Sequence, residues 1–421
     1  METDIDWKGL QGIYKGGADY NRPMKTKSPP KSPALRAPAT ATKSTLRSPL
    51  RVPTPLLGGI SPEEFIRDYW QKKPLLVRGA VPGFGADLSK ADMLDLCSRE
   101  DVESRFVTTA GSEWQLRNGP FSKRETKTWL TPWSVLVQSV NLIFPFGEDL
   151  IRRFDFIPYA RLDDLMVSYA TDGGGVGPHF DNYDVFLLQG SGTRRWRIGR
   201  QKDKTLIDGL PLRILKNFTP TYDWLLEPGD MLYLPPDWAH DGIAVGECMT
   251  WSIGFRAPPA QELADQFLTY LQESLCIDGI YSDPDLTPQT HPAEISGQMI
   301  DRVAEMLQKI QWKRQDVQHF LGSALTEPKP HVFFDHPETP LSAKKFAALI
   351  AKEGVSLDAR TQMLFCGGHF YLNGERIDVP STLRAFAREL ADRRHVPAVA
   401  DAEAATLIYG WYLDGFLNPG V

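Results

Sequence analysis

Apolar positions in the first region after residue 55 recur at helical spacing. Phe65, Ile66, Tyr69 and Trp70 share a helix face. Ser61-Pro62-Glu63-Glu64 ahead of them supplies a capping hydroxyl, a first-turn proline and two acids. Lys73-Pro74 ends this helix and Leu75–Arg78 reads as a strand. Ser89–Arg99 reads as a second short helix, and Arg105–Val107 and Trp114–Leu116 as strands. Trp129–Ile143 carries an amphipathic pattern that predicts a helix.

From Leu165 to Phe255 the pattern shortens. Leu165–Ala170, His179–Leu188, Arg194–Ile198, Asp223–Leu226, Met231–Leu234, Gly242–Val245 and Met249–Phe255 read as strands, most of them separated by glycine- or proline-rich punctuation such as Gly190-Ser-Gly192 and Pro235-Pro236. Many short antiparallel strands at this spacing predict a sandwich or barrel such as a jelly roll. Arg200–Thr221 is a polar insertion. Helical periodicity returns in Gln261–Leu275 and, with a break, in Ala293–Leu321. After the linker Pro328-Lys329-Pro330, Ser342–Glu353, Ser381–Arg393 and Ala402–Gly415 read as helices. They surround strand-like Met363–Phe365 and His369–Leu372, and Asn373-Gly374 favours a hairpin turn. A small helix-plus-hairpin domain of this kind resembles a winged helix.

Composition sets the frame for these elements. The 421 residues, 42% hydrophobic and 24% charged, allow two or three domains of an ordinary globular protein. No apolar run approaches a membrane span, and the first ten residues hold Glu2, Asp4, Asp6 and Lys8 rather than a secretory leader, so a cytoplasmic location is expected. Four scattered cysteines form no metal pattern and are expected to be reduced, two of them in the core. Residues 22–55 contain eight Lys or Arg from Arg22 to Arg51, no acid, and much Pro, Ser, Thr and Ala. Such a segment buries no core and is expected to be disordered. It is able to hold ribosomal RNA through phosphate contacts, though a plain solvated extension explains the composition more simply.

The chemistry concentrates in Gly173–Asp184. His179 and Asp181 stand two residues apart at the start of a predicted strand, where i and i+2 share a face. An imidazole and a carboxylate so placed are two of the three ligands of a 2-His-1-carboxylate metal site. A lone His-x-Asp is common by chance, and a core histidine is then the simpler explanation. Of eight histidines, only His240 also falls in the strand-rich segment, after Pro235-Pro236-Asp237-Trp238-Ala239, where an antiparallel strand brings it beside the pair. A facial triad leaves three positions open for a bidentate keto acid and O2, which favours iron, with zinc or manganese as alternatives.

A keto acid needs a cation for its far carboxylate. Arg194, expected to open the strand after Gly190–Gly192, offers a bidentate fork, while Arg195 and Arg197 have the opposite parity. Asp164, Met166 and Ser168 share a face by period two, and Ser168, if inward, donates to the same carboxylate. On the last strand Thr250, Ser252 and Gly254 face the pocket while Trp251, Ile253 and Phe255 pack the core.

Taken with Asp163-Asp164-Leu-Met166, Gln189-Gly-Ser-Gly-Thr-Arg194-Arg-Trp-Arg, Leu226–Pro236, Trp251-Ser-Ile-Gly-Phe-Arg256 and Tyr69–Gly79, the glycine-rich His179-Phe-Asp181 motif resembles the JmjC/cupin-type ribosomal oxygenases, in their bacterial arginine-hydroxylase branch. The likeness runs from about Ile60 to Ala260 and more loosely to the C-terminus. It implies a double-stranded β-helix (jelly roll, cupin/JmjC) catalytic domain over 58–258, a helical dimerisation segment over 259–327 and a winged-helix-like α+β domain over 328–421, after a basic tail over 1–57. It also implies an Fe(II)- and 2-oxoglutarate-dependent dioxygenase of a homodimer that hydroxylates, at the β-carbon, an arginine of a large-subunit ribosomal protein. On this resemblance His179, Asp181 and His240 bind iron, Arg194 and Ser168 bind 2-oxoglutarate, and Asp164, Met166, Tyr183 and Ser252 form the arginine pocket. Such a pocket also makes chemical sense: Asp164 is a counter-charge for a guanidinium, and Met166 and Tyr183 offer a slot for its methylenes. Histidine hydroxylation or N-demethylation at the same centre, and a non-catalytic cupin-like binding module, are the competing readings.

Overall fold

The computed structural model describes residues 52–85, 88–109 and 114–420. The basic stretch through Arg51 therefore lies outside the described residues. Pro55–Leu57 forms a 3-10 turn that buries Leu56 and Leu57, and α1 (Pro62–Asp68) follows, with the Ser61 hydroxyl accepting from the Glu64 amide at 3.1 Å. Next come β1 (Leu75–Val77), α2 (Lys90–Leu96, opened by a Ser89/Asp92 capping box), β2 (Ser104–Thr108), β3 (Gln115–Asn118), α3 (Lys123–Thr126), β4 (Trp133–Val137) and α4 (Pro145–Ile151). The strand-rich region consists of β5 (Leu162–Ala170), β6 (Asp184–Gly199), β7 (Tyr222–Leu226), β8 (Met231–Leu234) and β9 (Ala239–Phe255).

These nine strands pair antiparallel in the order β1-β8-β6-β9-β5-β4-β2-β3, with β7 on β6. The first half of β6 pairs with β8 through Val185–Leu188, and its second half pairs with β7 through Arg194–Ile198. One strand thus serves two neighbourhoods, the pattern expected of a jelly roll. The core gathers Phe65, Phe186, Tyr233, Trp251 and Phe255, with Phe65 and Tyr233 in an edge contact at 4.9 Å between ring centroids.

Three sequence expectations need correction. The predicted helix Trp129–Ile143 contains strand β4 instead, because Trp133–Val137 is buried at all five positions between β2 and β5. A fully buried strand reads as a continuous apolar run, which period alone does not distinguish from a helix face. Gly190-Ser-Gly192 is an irregularity inside the 16-residue β6, so Arg194 lies on the same strand as Val185–Leu188 rather than on a neighbour. Gly192 is required there: its φ is +60°, and a Cβ would come within 2.0 Å of the Glu247 carbonyl oxygen. Likewise Gly242–Val245 and Met249–Phe255 are parts of a single strand, β9, which starts early enough to include His240.

The C-terminal half begins with α5 (Ala260–Ser274), α6 (Gly297–Leu307) and α7 (Arg314–Thr326). Beyond them lie α8 (Ala343–Glu353), β10 (Val355–Leu357), β11 (Met363–Cys366), β12 (His369–Leu372), β13 (Glu375–Ile377), α9 (Arg384–Arg393), β14 (His395–Val396), α10 (Ala402–Leu413) and β15 (Leu417–Pro419). Two small sheets, β14-β10-β15 and β11-β12-β13, share a core of Phe346, Ile350, Leu390 and Ile408 with these helices. The expected hairpin turn forms at Asn373 (φ 49°) and Gly374 (φ 92°). Helix α7 is tied to that turn, where the Gly374 amide donates to the Thr326 hydroxyl at 2.9 Å.

A buried ionic seam joins this domain to the strand-rich one. Arg394 Nε lies 2.6 Å from Glu148 Oε1 on α4, and Arg152 Nε lies 2.7 Å from the same oxygen. Arg394 also donates to the carbonyls of Thr361 and Asp358, which satisfies much of its fork inside the protein. Of the cysteines, Cys97 and Cys248 are buried and Cys276 and Cys366 exposed, all with free thiols.

Candidate metal centre and substrate pocket

His179 is not part of a regular strand, contrary to expectation. It forms an isolated antiparallel bridge with His240, through amide-to-carbonyl bonds of 3.0 and 2.8 Å in the two directions. This antiparallel bridge sets the two imidazoles side by side, with ring centroids 4.3 Å apart. Asp181 Oδ2 lies 3.7 Å from His179 Nε2 and 3.6 Å from His240 Nε2. Among the described residues this trio is the one group of His, Cys, Asp or Glu side chains with ligand atoms clustered as a metal requires, all within 4.8 Å.

The donor set fits a divalent cation. Each histidine turns its Nδ1 toward the carbonyl two residues earlier, Gly177 at 2.7 Å and Trp238 at 2.9 Å. That contact places the proton on Nδ1 and leaves the Nε2 lone pair aimed at the carboxylate. Burial, reinforced by the neighbouring His179, depresses the His240 imidazole to about 4, so it is neutral at pH 7. Two imidazoles and a carboxylate clustered in this way are the donor set of a 2-His-1-carboxylate metal site.

On the same strand pair as His240, with Arg194 opposite Ala244 and Ile198 opposite His240, Arg194 is 5% exposed and donates through Nη1 to Ser168 Oγ at 3.1 Å. Its Nε is buried without a hydrogen-bond partner, and no carboxylate pairs with it among the described residues. A guanidinium in that condition is incomplete without an anion, since burying an unpaired charge is costly. Arg195, by contrast, pairs outward with Asp223 at 2.5 Å, and Arg197 pairs with Asp241, in keeping with the parity of the strand.

Met166 and Ser252 are directly paired across β5 and β9. Asp164 lies just beyond them, at a register shift between Leu162 and Leu165. The shift sets Asp163 and Asp164, which strict alternation would send to opposite faces, toward common partners. Asp164 Oδ2 accepts from the Ser139 amide at 2.9 Å and from its hydroxyl at 3.0 Å. Arg256 Nε donates to Asp163 at 3.1 Å, and Lys329 Nζ lies 3.2 Å from Asp164 and 3.5 Å from Asp163. Tyr183 is 44% exposed; burial of its hydroxyl and the two nearby carboxylates push it up to about 12. The structure gathers His179, Asp181 and His240, sets Ser168 against Arg194, pairs Met166 with Ser252 and brings Tyr183 near Asp164. It adds Asp163, Ser139, Arg256 and Lys329, which sequence reasoning missed. The adjacent acids Asp163-Asp164 and the Pro-Lys-Pro linker were visible, but nothing in the sequence connected them.

A jelly roll that gathers two histidines and a carboxylate beside a buried arginine defines the JmjC class of cupin-fold proteins. Residues 149–263 match the JmjC domain family, and residues 306–418 match the ROXA-like winged helix family. Within that class the chain belongs to the ribosomal oxygenases. It is 33% identical over 364 residues to the ribosomal protein uL16 3-hydroxylase of Escherichia coli, which covers 84% of this chain and 97% of that one. A crystal structure of the E. coli ribosomal oxygenase YcfD superimposes with a TM-score of 0.73 at 31% identity, covering 85% of this chain and 97% of that one. A structure of YcfD in complex with cobalt and 2-oxoglutarate gives a TM-score of 0.72 at the same identity and coverage.

Proposed function

We propose that this chain is an Fe(II)- and 2-oxoglutarate-dependent hydroxylase that acts on the β-carbon of an arginine in a large-subunit ribosomal protein. The observation that carries the reading is the buried, acid-free guanidinium of Arg194, on the strand that pairs with the one bearing His240 of the His-Asp-His triad. Together with Ser168 it matches the far carboxylate of a keto diacid. In this reading His179, Asp181 and His240 hold the iron. When bound, the metal couples oxidative decarboxylation of 2-oxoglutarate by O2 to hydroxylation: one oxygen atom enters succinate and the other enters the substrate C–H bond, with release of CO2.

The residues of the chain orient and select. Arg194 and Ser168 fix the co-substrate so that its keto acid end lies toward the triad. Asp164, with Asp163 beside it, recognises a cation; Met166 and Tyr183 flank the methylene stem; Ser252, opposite Met166, supplies a polar wall. Two adjacent carboxylates favour an arginine over a neutral histidine, because only a cationic side chain gains their attraction. We assign the homodimer contact to the helical segment, where α6 exposes Met299, Ile300, Val303 and Leu307, and weak ribosomal RNA contact to the basic tail. No described helix is long and apolar enough to cross a membrane.

Mass spectrometry of ribosomal proteins from cells with and without the gene tests the assignment. One arginine is expected to lose one oxygen atom in the deletion strain. An oxygen lost from a histidine, or a methyl group gained at a lysine, would replace the arginine reading with one of its competitors.

A further inference from the structure

We propose that Lys329 is an internal stand-in for the substrate's cation, seated on the carboxylate an incoming arginine must take and displaced when the arginine binds. The inference rests on the reading of Asp164 as the arginine's counter-charge. Lys329 belongs to neither the strand-rich core nor the C-terminal sheets; it sits in the linker directly after α7. Proline on each side restricts the backbone at Pro328-Lys329-Pro330, and the Val332 amide closes a turn onto the Lys329 carbonyl at 2.9 Å. The linker thereby aims one long side chain back into the catalytic domain. Its ammonium reaches Asp164 Oδ2 and Ser139 Oγ, each at 3.2 Å, and Asp163 Oδ1 at 3.5 Å.

The charge balance of this cluster is the core of the case. Asp163 and Asp164 are matched by Arg256 and Lys329, so the cluster is neutral before any substrate enters. An arriving guanidinium makes three cations for two carboxylates, in a site where charges are weakly screened. One cation then has to leave. Arg256 is tied to Asp163 on a strand end and its carbonyl accepts from Arg161 Nε at 2.5 Å. Lys329 is held through a flexible stem by single contacts of at least 3.2 Å, with 26% of its side chain still exposed. Asp164 does not depend on it for its orientation, since the Ser139 amide and hydroxyl already anchor Oδ2. The cavity that Lys329 lines together with Asp163 and Asp164 is also lined by Glu327 and Gln362, which offer other polar groups to receive the ammonium. Of the two cations, Lys329 is carried by the linker after α7, whereas Arg256 directly follows β9. A neutral side chain has no means of displacing it, so the exchange works as a filter for charge.

The test uses the full-length, iron-loaded enzyme with an arginine-containing acceptor peptide, and measures KM for peptide and for 2-oxoglutarate. Lys329→Met is expected to lower the peptide KM by about fivefold, and Lys329→Arg, whose fork grips the acid pair more firmly, to raise it by a similar factor. KM for 2-oxoglutarate stays within about twofold in both, as the charges concerned lie outside the co-substrate site. If Lys329→Met does not fold, Lys329→Gln serves in its place. A peptide KM that is unchanged or raised in the neutral variant overturns the stand-in role. Asp164→Asn separates this from the pocket assignment. If Asp164→Asn raises the peptide KM while the Lys329 variants do not follow the expected signs, the inference alone fails; if Asp164→Asn leaves the KM unchanged, the pocket assignment itself is wrong.

Discussion

Replacing Arg194 with methionine separates the functional reading of this residue from a structural one, because the two predict opposite effects on stability. The guanidinium is 5% exposed, makes one side-chain hydrogen bond at 3.1 Å to Ser168, leaves Nε without a partner and has Trp196 at 5.7 Å for cation–π contact. Its desolvation is thus poorly compensated in the protein alone. Exchanging a poorly paired buried charge for an apolar side chain of similar length is neutral or stabilising by about 1–4 kcal/mol. With a transition this large, the melting temperature of the apoprotein should hold or rise by about 2–4 °C. Binding should move the other way. A bidentate grip on a carboxylate comprises two charge-assisted hydrogen bonds, and losing both removes about 3–5 kcal/mol. That corresponds to an increase in KM for 2-oxoglutarate on the order of 10²–10⁴-fold. Succinate release measured against 2-oxoglutarate concentration gives the second number, and differential scanning fluorimetry the first. A KM within threefold of wild type, or an apoprotein that unfolds on losing Arg194, would refute the reasoning.

Other perturbations test separate links. Asp181→Ala removes the anionic ligand of the triad and should abolish succinate release on Fe(II) titration; turnover equal to wild type would sink the metal assignment. Gly192→Ala puts a Cβ 2.0 Å from the Glu247 carbonyl oxygen at a φ of +60°, so it should cost more than about 2 kcal/mol in thermal unfolding. Glu148→Gln leaves Arg394 and Arg152 without their shared carboxylate and should destabilise the fold by about 3 kcal/mol at neutral pH. The same pair gives a pH signature. Burial raises the Glu148 pKa, but Arg394 and Arg152 outweigh it and hold the group below its ordinary 4.5. Its contribution is therefore complete above pH 4.5 and is lost as pH falls through the depressed folded value. Melting curves of wild type and Glu148→Gln should converge in acid; a gap that stays constant down to pH 3 would contradict the seam's role.

Much of the fold was legible because its elements advertise themselves locally. Ser61 caps its helix as its position suggested, and Asn373-Gly374 turns as that dipeptide does. The failures have two causes, burial on both faces of a strand and close approach at glycines. In Trp133–Val137 both faces are covered, so the alternation that marks a strand is erased and an apolar spacing compatible with a helix remains. In β6, glycines that punctuate many chains are instead absorbed into a long strand, because the Glu247 carbonyl closes in at Gly192 and the Trp251 ring at Gly190. Local sequence records that a glycine is present. It does not record whether the chain turns there or another strand comes close.

The site shows a different limit, set by how many residues could play a part rather than by distance along the chain. His240 is 61 positions from His179, yet it was identifiable, because a facial metal site requires a second imidazole and the strand-rich segment holds only one other. Arg194 was found in the same way, as an inward cation beside the triad. Lys329 lies 165 positions from Asp164, but the obstacle was not that separation. The chain has 47 lysines and arginines against 8 histidines, and any of them could balance an acid. Only a register shift that turns Asp163 and Asp164 toward common partners, and a proline-flanked linker that reaches them, selects this lysine from the rest. Metal ligands are constrained by coordination chemistry and so can be read from residue type and order. Counter-ions are constrained by the field at one point in space, which exists only once the chain has folded. The part of this active site that discriminates charge should therefore be the part most dependent on the C-terminal domain that carries the linker into place.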